Sequence, residues 1–206
     1  MRVLVAAAAS LTLACPAAAG ALSVGQAVAA SPQPSVFAPR HPAAVAACAH
    51  ASISVGPANL GAMRTAVLCL VNRQRAAHGL PRLSEDSRLD RSAQGWTQTM
   101  VATHRFTHGT NFAARISAAG FRWSAAGENI ATGFATPAAV VKAWMASVGH
   151  CRNILSPSYS AIGIGVVNRP VAGFASGAAT WTQDFALPMG RRAPSRNFAA
   201  SSRCPY

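Results

Sequence analysis

Gly127-Glu128-Asn129-Ile130-Ala131 and Trp144-Met145-Ala146-Ser147-Val148-Gly149-His150 are the two blocks from which the rest of the chain can be read. Between them stand Thr136 and Pro137, the N-cap and first-position pair that opens a short helix. The blocks therefore place an acid and a base on either side of that helix. A third polar group, His108 of Phe106-Thr107-His108-Gly109, lies just upstream. Only five of the 206 residues are acidic, so a Glu inside an apolar, Gly-flanked run needs a partner. The expectation is that His108, Glu128 and His150 converge in one cleft.

Working outward, Val140, Val141, Trp144 and Met145 give the helix after Thr136 an apolar face, and Gly149 is expected to end it and expose His150. Ile162-Gly163-Ile164-Gly165-Val166-Val167 reads as a strand whose glycines permit close backbone approach. A loop from Asn168 to Gly177 returns the chain to Ala179-Thr180-Trp181-Thr182-Gln183-Asp184-Phe185, which alternates as an antiparallel partner should. Upstream, Phe121-Arg122-Trp123 leads in extended form into the Glu128 block. Asn111 to Ala119 is a helix ended by Gly120. Leu89, Ala93, Trp96 and Met100 form the core stripe of another helix, with Ser84 as cap and Glu85 and Asp86 in its first turn. Leu60, Met63, Val67, Leu68 and Val71 mark the first helix, between Asn59 and Gly79. The class is α+β, with helices packed on a small antiparallel sheet.

The length suits one domain with a substantial core. Residues 1–19 read as a signal peptide: Arg2 precedes an apolar run from Val3 to Ala14, and Ala17-Ala18-Ala19 supplies a small-residue cleavage site. Ala27-Val28-Ala29 is a second candidate. Leu13-Ala14-Cys15 resembles a lipoprotein cleavage site, although Thr12 stands where an aliphatic residue is usual. Residues 20–57 are an Ala/Pro-rich leader expected to be extended or disordered, 58–187 the folded domain, and 188–206 a tail tethered by Cys204. No other stretch is long and apolar enough to cross a bilayer. A secreted, periplasmic or envelope protein, soluble and monomeric, is expected.

Removing Cys15 leaves Cys48, Cys69, Cys151 and Cys204, an even number in an oxidising compartment. Four cysteines allow three pairings, and spacing alone does not choose among them. Chain logic favours Cys48–Cys69, tying the leader to the first helix, and Cys151–Cys204, tying the tail to the body. No two lie at CxxC spacing, which argues against a thiolate metal site. The formal charge of +13 comes almost wholly from arginine, Lys142 being the only lysine. Such a balance suits an anionic cell-envelope polymer. Nucleic acid is not the expected partner, because no recognition motif accompanies the charge.

His104 and His108 have the spacing of a helical zinc pair, but Arg105-Phe106-Thr107 between them supplies no base, and the zinc-protease reading fails. His108, Glu128 and His150 could instead ligate zinc with an open position for water. They could equally be a polar network in which Glu128 bridges two imidazoles. A Ser147–His150 nucleophile pair lacks both an elbow and an orienting acid.

Several segments occur in one order: Cys69-Leu70-Val71-Asn72-Arg73-Gln74-Arg75, Leu80-Pro81-Arg82-Leu83, Phe106-Thr107-His108, Gly127-Glu128-Asn129-Ile130, Trp144 to His150, Asn153-Ile154-Leu155, Ile162 to Gly165 and Trp181 to Phe185. Together they resemble the bacterial branch of the CAP superfamily (cysteine-rich secretory proteins, antigen 5 and pathogenesis-related proteins) from about Asn59 to Ala186. The resemblance implies a three-layer α-β-α sandwich, secretion and a central cleft. In many members that cleft holds two His and two Glu, and in some it binds a divalent metal. By motif, His108, Glu128 and His150 match three of the four; Ser147 stands where the second Glu would be. Three functions remain open: a module binding a small-molecule or lipid ligand, a hydrolase using a divalent metal such as zinc on His108, Glu128 and His150, and a basic envelope protein adhering to anionic polymer.

Overall fold

The computed structural model describes residues 47–173, 179–193 and 204, all within one unit spanning Pro42–Tyr206. The expected signal peptide, most of the leader and, of the tail, all but residues 188–193 and Cys204 lie outside the described residues. The elements in chain order are α1 (Leu60–Ala77), β1 (Ser84–Glu85), α2 (Ser87–Ala102), α3 (Phe112–Ala118), β2 (Trp123–Phe134), α4 (Pro137–Met145), α5 (Val148–Ile154), β3 (Ala161–Val167) and β4 (Ala179–Pro188). The sheet runs β1-β3-β4-β2; β4 pairs antiparallel with both neighbours, and β1 pairs parallel with β3. The sheet is therefore mixed, not wholly antiparallel.

One apolar cluster joins α1, α4 and α5 to one face of the sheet through Val67, Val71, Trp144, Ile154, Ile164, Trp181 and Phe185. A second joins α2 and α3 to the other face through Leu89, Ile116, Phe121 and Ala186. The result is the expected α-β-α sandwich. Strand alternation decides which layer each side chain enters. In β4, Trp181 and Phe185 face α1 and α4, whereas Thr182 bonds Thr97 of α2 at 2.8 Å.

Gly163 and Gly165 do what their strand suggested. A Cβ at either would fall 2.0–2.4 Å from the backbone of Leu89 or Ala93, so α2 rests directly on β3. From there Asp90 Oδ1 accepts the Ile164 N–H, and the Gln94 amide accepts the Val166 N–H and donates to its carbonyl. Beyond its short pairing with β1, the outer edge of β3 is thereby satisfied by side chains of α2.

Three local expectations need correction. Ser84 and Glu85 are not the start of a helix; they form β1, paired with Ala161 and Ile162, and Asp86 caps α2 by accepting from the Arg88 N–H. The helix opened by Thr136 ends at Met145, and α5 begins after Ser147, so His150 sits inside a second helix instead of beyond the first. Ordered contacts also begin earlier than Asn59: the Val55 N–H donates to Ala135 O, and Ala51 O accepts from Ala138 N. The disulfides are Cys48–Cys69 and Cys151–Cys204, the pairing that chain logic favours.

Buried Arg75 of α1 ties the layers at a point without motif chemistry. Its guanidinium donates to the carbonyls of Pro81, Ile154, Ser156 and Tyr159, tying together the two segments that lead into the parallel strands β1 and β3.

Candidate functional site

Glu128 lies midway along β2, opposite Asp184 of β4, and its side chain enters the α2/α3 layer. It is buried, with both carboxylate oxygens engaged. His108 Nδ1 lies 2.7 Å from Oε1, and the Arg115 guanidinium of α3 donates to Oε2. Arg115 is held by more than the carboxylate. Its Nη1 donates to His108 O at 3.0 Å, and its Cζ lies 3.8 Å over the Trp96 ring. Trp96 Nε1 donates in turn to Thr107 O, binding the His108 loop to α2. Gly109 has φ +70°, and a Cβ there would strike Trp96. The close packing of loop on indole thus needs glycine on both conformational and steric grounds.

Beneath this pair, Asp184 is buried, and its carboxyl oxygens meet no partner at hydrogen-bonding geometry among the described residues. Burial pushes it up to about 8, opposed by the nearby Ser92 hydroxyl and reinforced by the Glu128 charge. Asp184 is therefore mostly a neutral acid at pH 7, the Arg115 charge opposing burial without overcoming it, while the Arg115 guanidinium bonds Glu128.

The next residue of β2 points the other way. Asn129 Nδ2 donates to His150 O and Gln183 Oε1, and its Oδ1 accepts from Asn153. His150 therefore belongs to the α4/α5 layer. Burial, and then the neighbouring His108, lower its pKa below the usual histidine value. The neutral imidazole lines a cleft of about 250 Å³ with Phe106, Ala143, Trp144, Ser147, residues 130–132 and Phe134. Lining residues from both faces of β2 place the cleft along its outer edge, which no strand among the described residues covers. Backbone groups of residues 126, 128 and 130 point outward there. Their carbonyls accept from Tyr159 Oη, Asn153 Nδ2 and Trp144 Nε1. Among the described residues nothing meets the outward N–H groups of Glu128 and Ile130. The edge therefore presents donors with its acceptors already used.

The structure brings His108 and Glu128 into contact and sets His150 near His108 but in the opposite layer. Among the described residues no three His, Cys, Asp or Glu side chains are grouped so as to hold a metal ion. The donors do not fit one as placed: both Glu128 oxygens are taken, and Ser147 contributes no carboxylate. No hydrogen bond joins Ser147 to His150 among the described residues, so the nucleophile pair gains nothing. Arg115 and Asp184 are the members that sequence reasoning missed. Asp184 could have been found, being one of five acids and lying on an alternating strand. Arg115 carried no signal, as one of many scattered arginines.

The family model described as "Cysteine-rich secretory protein family" matches residues 68–185. An uncharacterized protein of Bacillus subtilis, YkwD, is 39% identical over 134 residues, covering 63% of this chain and 49% of its own length. A second B. subtilis protein, the uncharacterized membrane protein YlbC, is 31% identical over 104 residues, covering 48% of this chain and 30% of its own. The chain thus spans half or less of these relatives. An SCP-domain extracellular protein of Bacillus anthracis superposes with a TM-score of 0.53 at 24% identity, over 64% of this chain and 44% of that one. A cysteine-rich secretory protein of Staphylococcus aureus gives 0.54 at 16%, over 64% and 40%. These two show the fold alone. With the family model covering more than half of the sequence, and the sandwich and edge cleft in place, the chain belongs to the cysteine-rich secretory protein (CAP) family.

Proposed function

We propose that this is an exported binding protein whose edge cleft takes a small ligand with an apolar body and a hydrogen-bond-accepting head. The observation that carries it is the cleft itself: apolar walls from Phe106, Phe134 and Trp144 beside outward backbone donors of β2. A buried N–H without a protein partner is costly, so such groups mark places where water or a ligand belongs. At about 250 Å³ the cleft is smaller than the ~300–1,000 Å³ of sites for drug-sized ligands. It suits one short chain or a single ring. Export is supported by the two disulfides, which belong to oxidising compartments, and by the extracellular description of the B. anthracis neighbour. No described helix is long and apolar enough to cross a membrane.

Straight-chain carboxylates of increasing length, titrated while tryptophan fluorescence is followed, test the reading. Affinity should rise about fourfold per methylene, the equivalent of ~0.8 kcal/mol, and level off once the cleft is full. Ala143→Phe should abolish the effect. A response that never saturates, or one indifferent to Ala143→Phe, would sink the idea. A hydrolase reading gains no support from the donors around Glu128.

A second reading rests on a separate observation. Two shallow grooves of about 450 and 490 Å³ share Gln98 on the outer side of α2 and are lined by Arg64, Arg91, Arg169 and His104. With the net charge of +13, they favour adhesion to an anionic envelope polymer. Retention on such a polymer should vanish in high salt and survive Ala143→Phe.

A further inference from the structure

Among the described residues Glu128 is the one buried carboxylate in contact with His108, and its charge already has a fixed partner. A guanidinium is permanently protonated, and its planar fork matches a carboxylate closely. Arg115 is positioned from three sides before Glu128 is considered: by the Trp96 ring at 3.8 Å, by His108 O at 3.0 Å, and by the loop that Gly109 allows to close on both. His108 Nδ1 lies 2.7 Å from Oε1 and Arg115 bonds Oε2, so each carboxylate oxygen already has a nitrogen partner. His150 sits on α5 in the opposite helical layer, its backbone carbonyl held by Asn129, whose side chain leaves β2 on the face away from Glu128.

We propose that Arg115 is the resident cation of this site, an internal guanidinium that neutralises Glu128 in place of a divalent ion, so that the cleft works without metal. The arrangement also explains why Ser147 is tolerated: with one carboxylate and one guanidinium the local charge is balanced, and a second carboxylate would be in excess. This does not depend on the ligand-binding reading, since it concerns only how Glu128 is neutralised.

The test uses the full disulfide-bonded mature chain. Zinc chloride is titrated calorimetrically into wild type and Glu128→Gln, and urea midpoints are measured for Arg115→Met, Glu128→Gln and the double variant. The expected result is no zinc binding that depends on Glu128. Arg115→Met should lower the midpoint by leaving a buried carboxylate without its cation, and adding Glu128→Gln should restore most of the loss. Saturable zinc binding that disappears in Glu128→Gln would overturn the proposal, as would midpoint shifts that simply add. Should Arg115→Met fail to fold, the two zinc titrations decide the matter alone.

Discussion

Gly163→Ala tests how α2 is seated on the sheet, and its cost can be worked from the geometry. The new methyl would stand 2.0 Å from the Leu89 carbonyl carbon and 2.3 Å from the Asp90 nitrogen, both backbone atoms that no rotamer change can move. Carbon contacts are comfortable at about 3.5–4.0 Å, so helix and strand must part by roughly 1.5 Å. Such a retreat draws Asp90 and Gln94 away from the β3 edge, where they hold bonds of 2.9, 3.0 and 3.1 Å. Each bond is worth about 1 kcal/mol net. Overpacking itself costs about 1–3 kcal/mol. The sum, roughly 4–6 kcal/mol, is a large share of the ~5–15 kcal/mol that a domain has. Urea unfolding followed by far-ultraviolet circular dichroism should show a lower midpoint with an unchanged slope. Gly95→Ala is the internal control, since it lies on the solvent side of the same helix with nothing within 4 Å of its Cβ. There alanine should stabilise by about 0.5–1 kcal/mol through helix propensity alone. A Gly163→Ala protein within about 1 kcal/mol of wild type would refute the seating argument.

Asp184→Asn should flatten the dependence of stability on pH. The folded state keeps the Asp184 proton up to about 8, whereas the unfolded chain releases it near an ordinary carboxylate value. Wild-type stability therefore declines as pH rises through that window; the variant should match it near pH 4 and exceed it by several kcal/mol at pH 8–9, with about four pH units at ~1.4 kcal/mol each as the ceiling. Parallel pH curves would count against a protonated Asp184. Arg75→Met leaves four carbonyls of the loop ends without their donor and should cost about 3–5 kcal/mol, read from the urea midpoint. Replacing Cys151 and Cys204 by serine opens a closure spanning 53 residues and should cost about 4 kcal/mol; a loss no larger than for an exposed Ser substitution would mean that the tail adds no constraint.

Local chemistry was legible where the cause was local. Thr136 caps α4 by accepting the Ala139 N–H with Pro137 behind it, as the dipeptide implied. The glycines of β3 signalled a close approach that α2 makes. Reading failed where a distant partner decides. Nothing within Ser84-Glu85 makes a strand; their backbone pairs with Ala161 and Ile162, and without that partner a helical first turn is the better local choice. The break after Met145 was hidden because Ser147 is an adequate helix residue until its backbone turns extended to start α5. That break carries His150 into a layer that Glu128 does not enter.

By itself the sequence determined the class, the order of the longer elements, the cysteine logic and the family, because each rests on periodicity, caps and short motifs that neighbours in the chain define. It also put His108 beside Glu128. Only the tertiary structure decided that Arg115 completes that pair, that Asp184 lies neutral beneath it, and that His150 looks onto a separate apolar edge. The reason is geometric. Along β2 successive side chains enter opposite layers, so which helices meet Glu128 depends on where α3 and α5 dock, and that is set by packing against a sheet whose strands come from both ends of the chain.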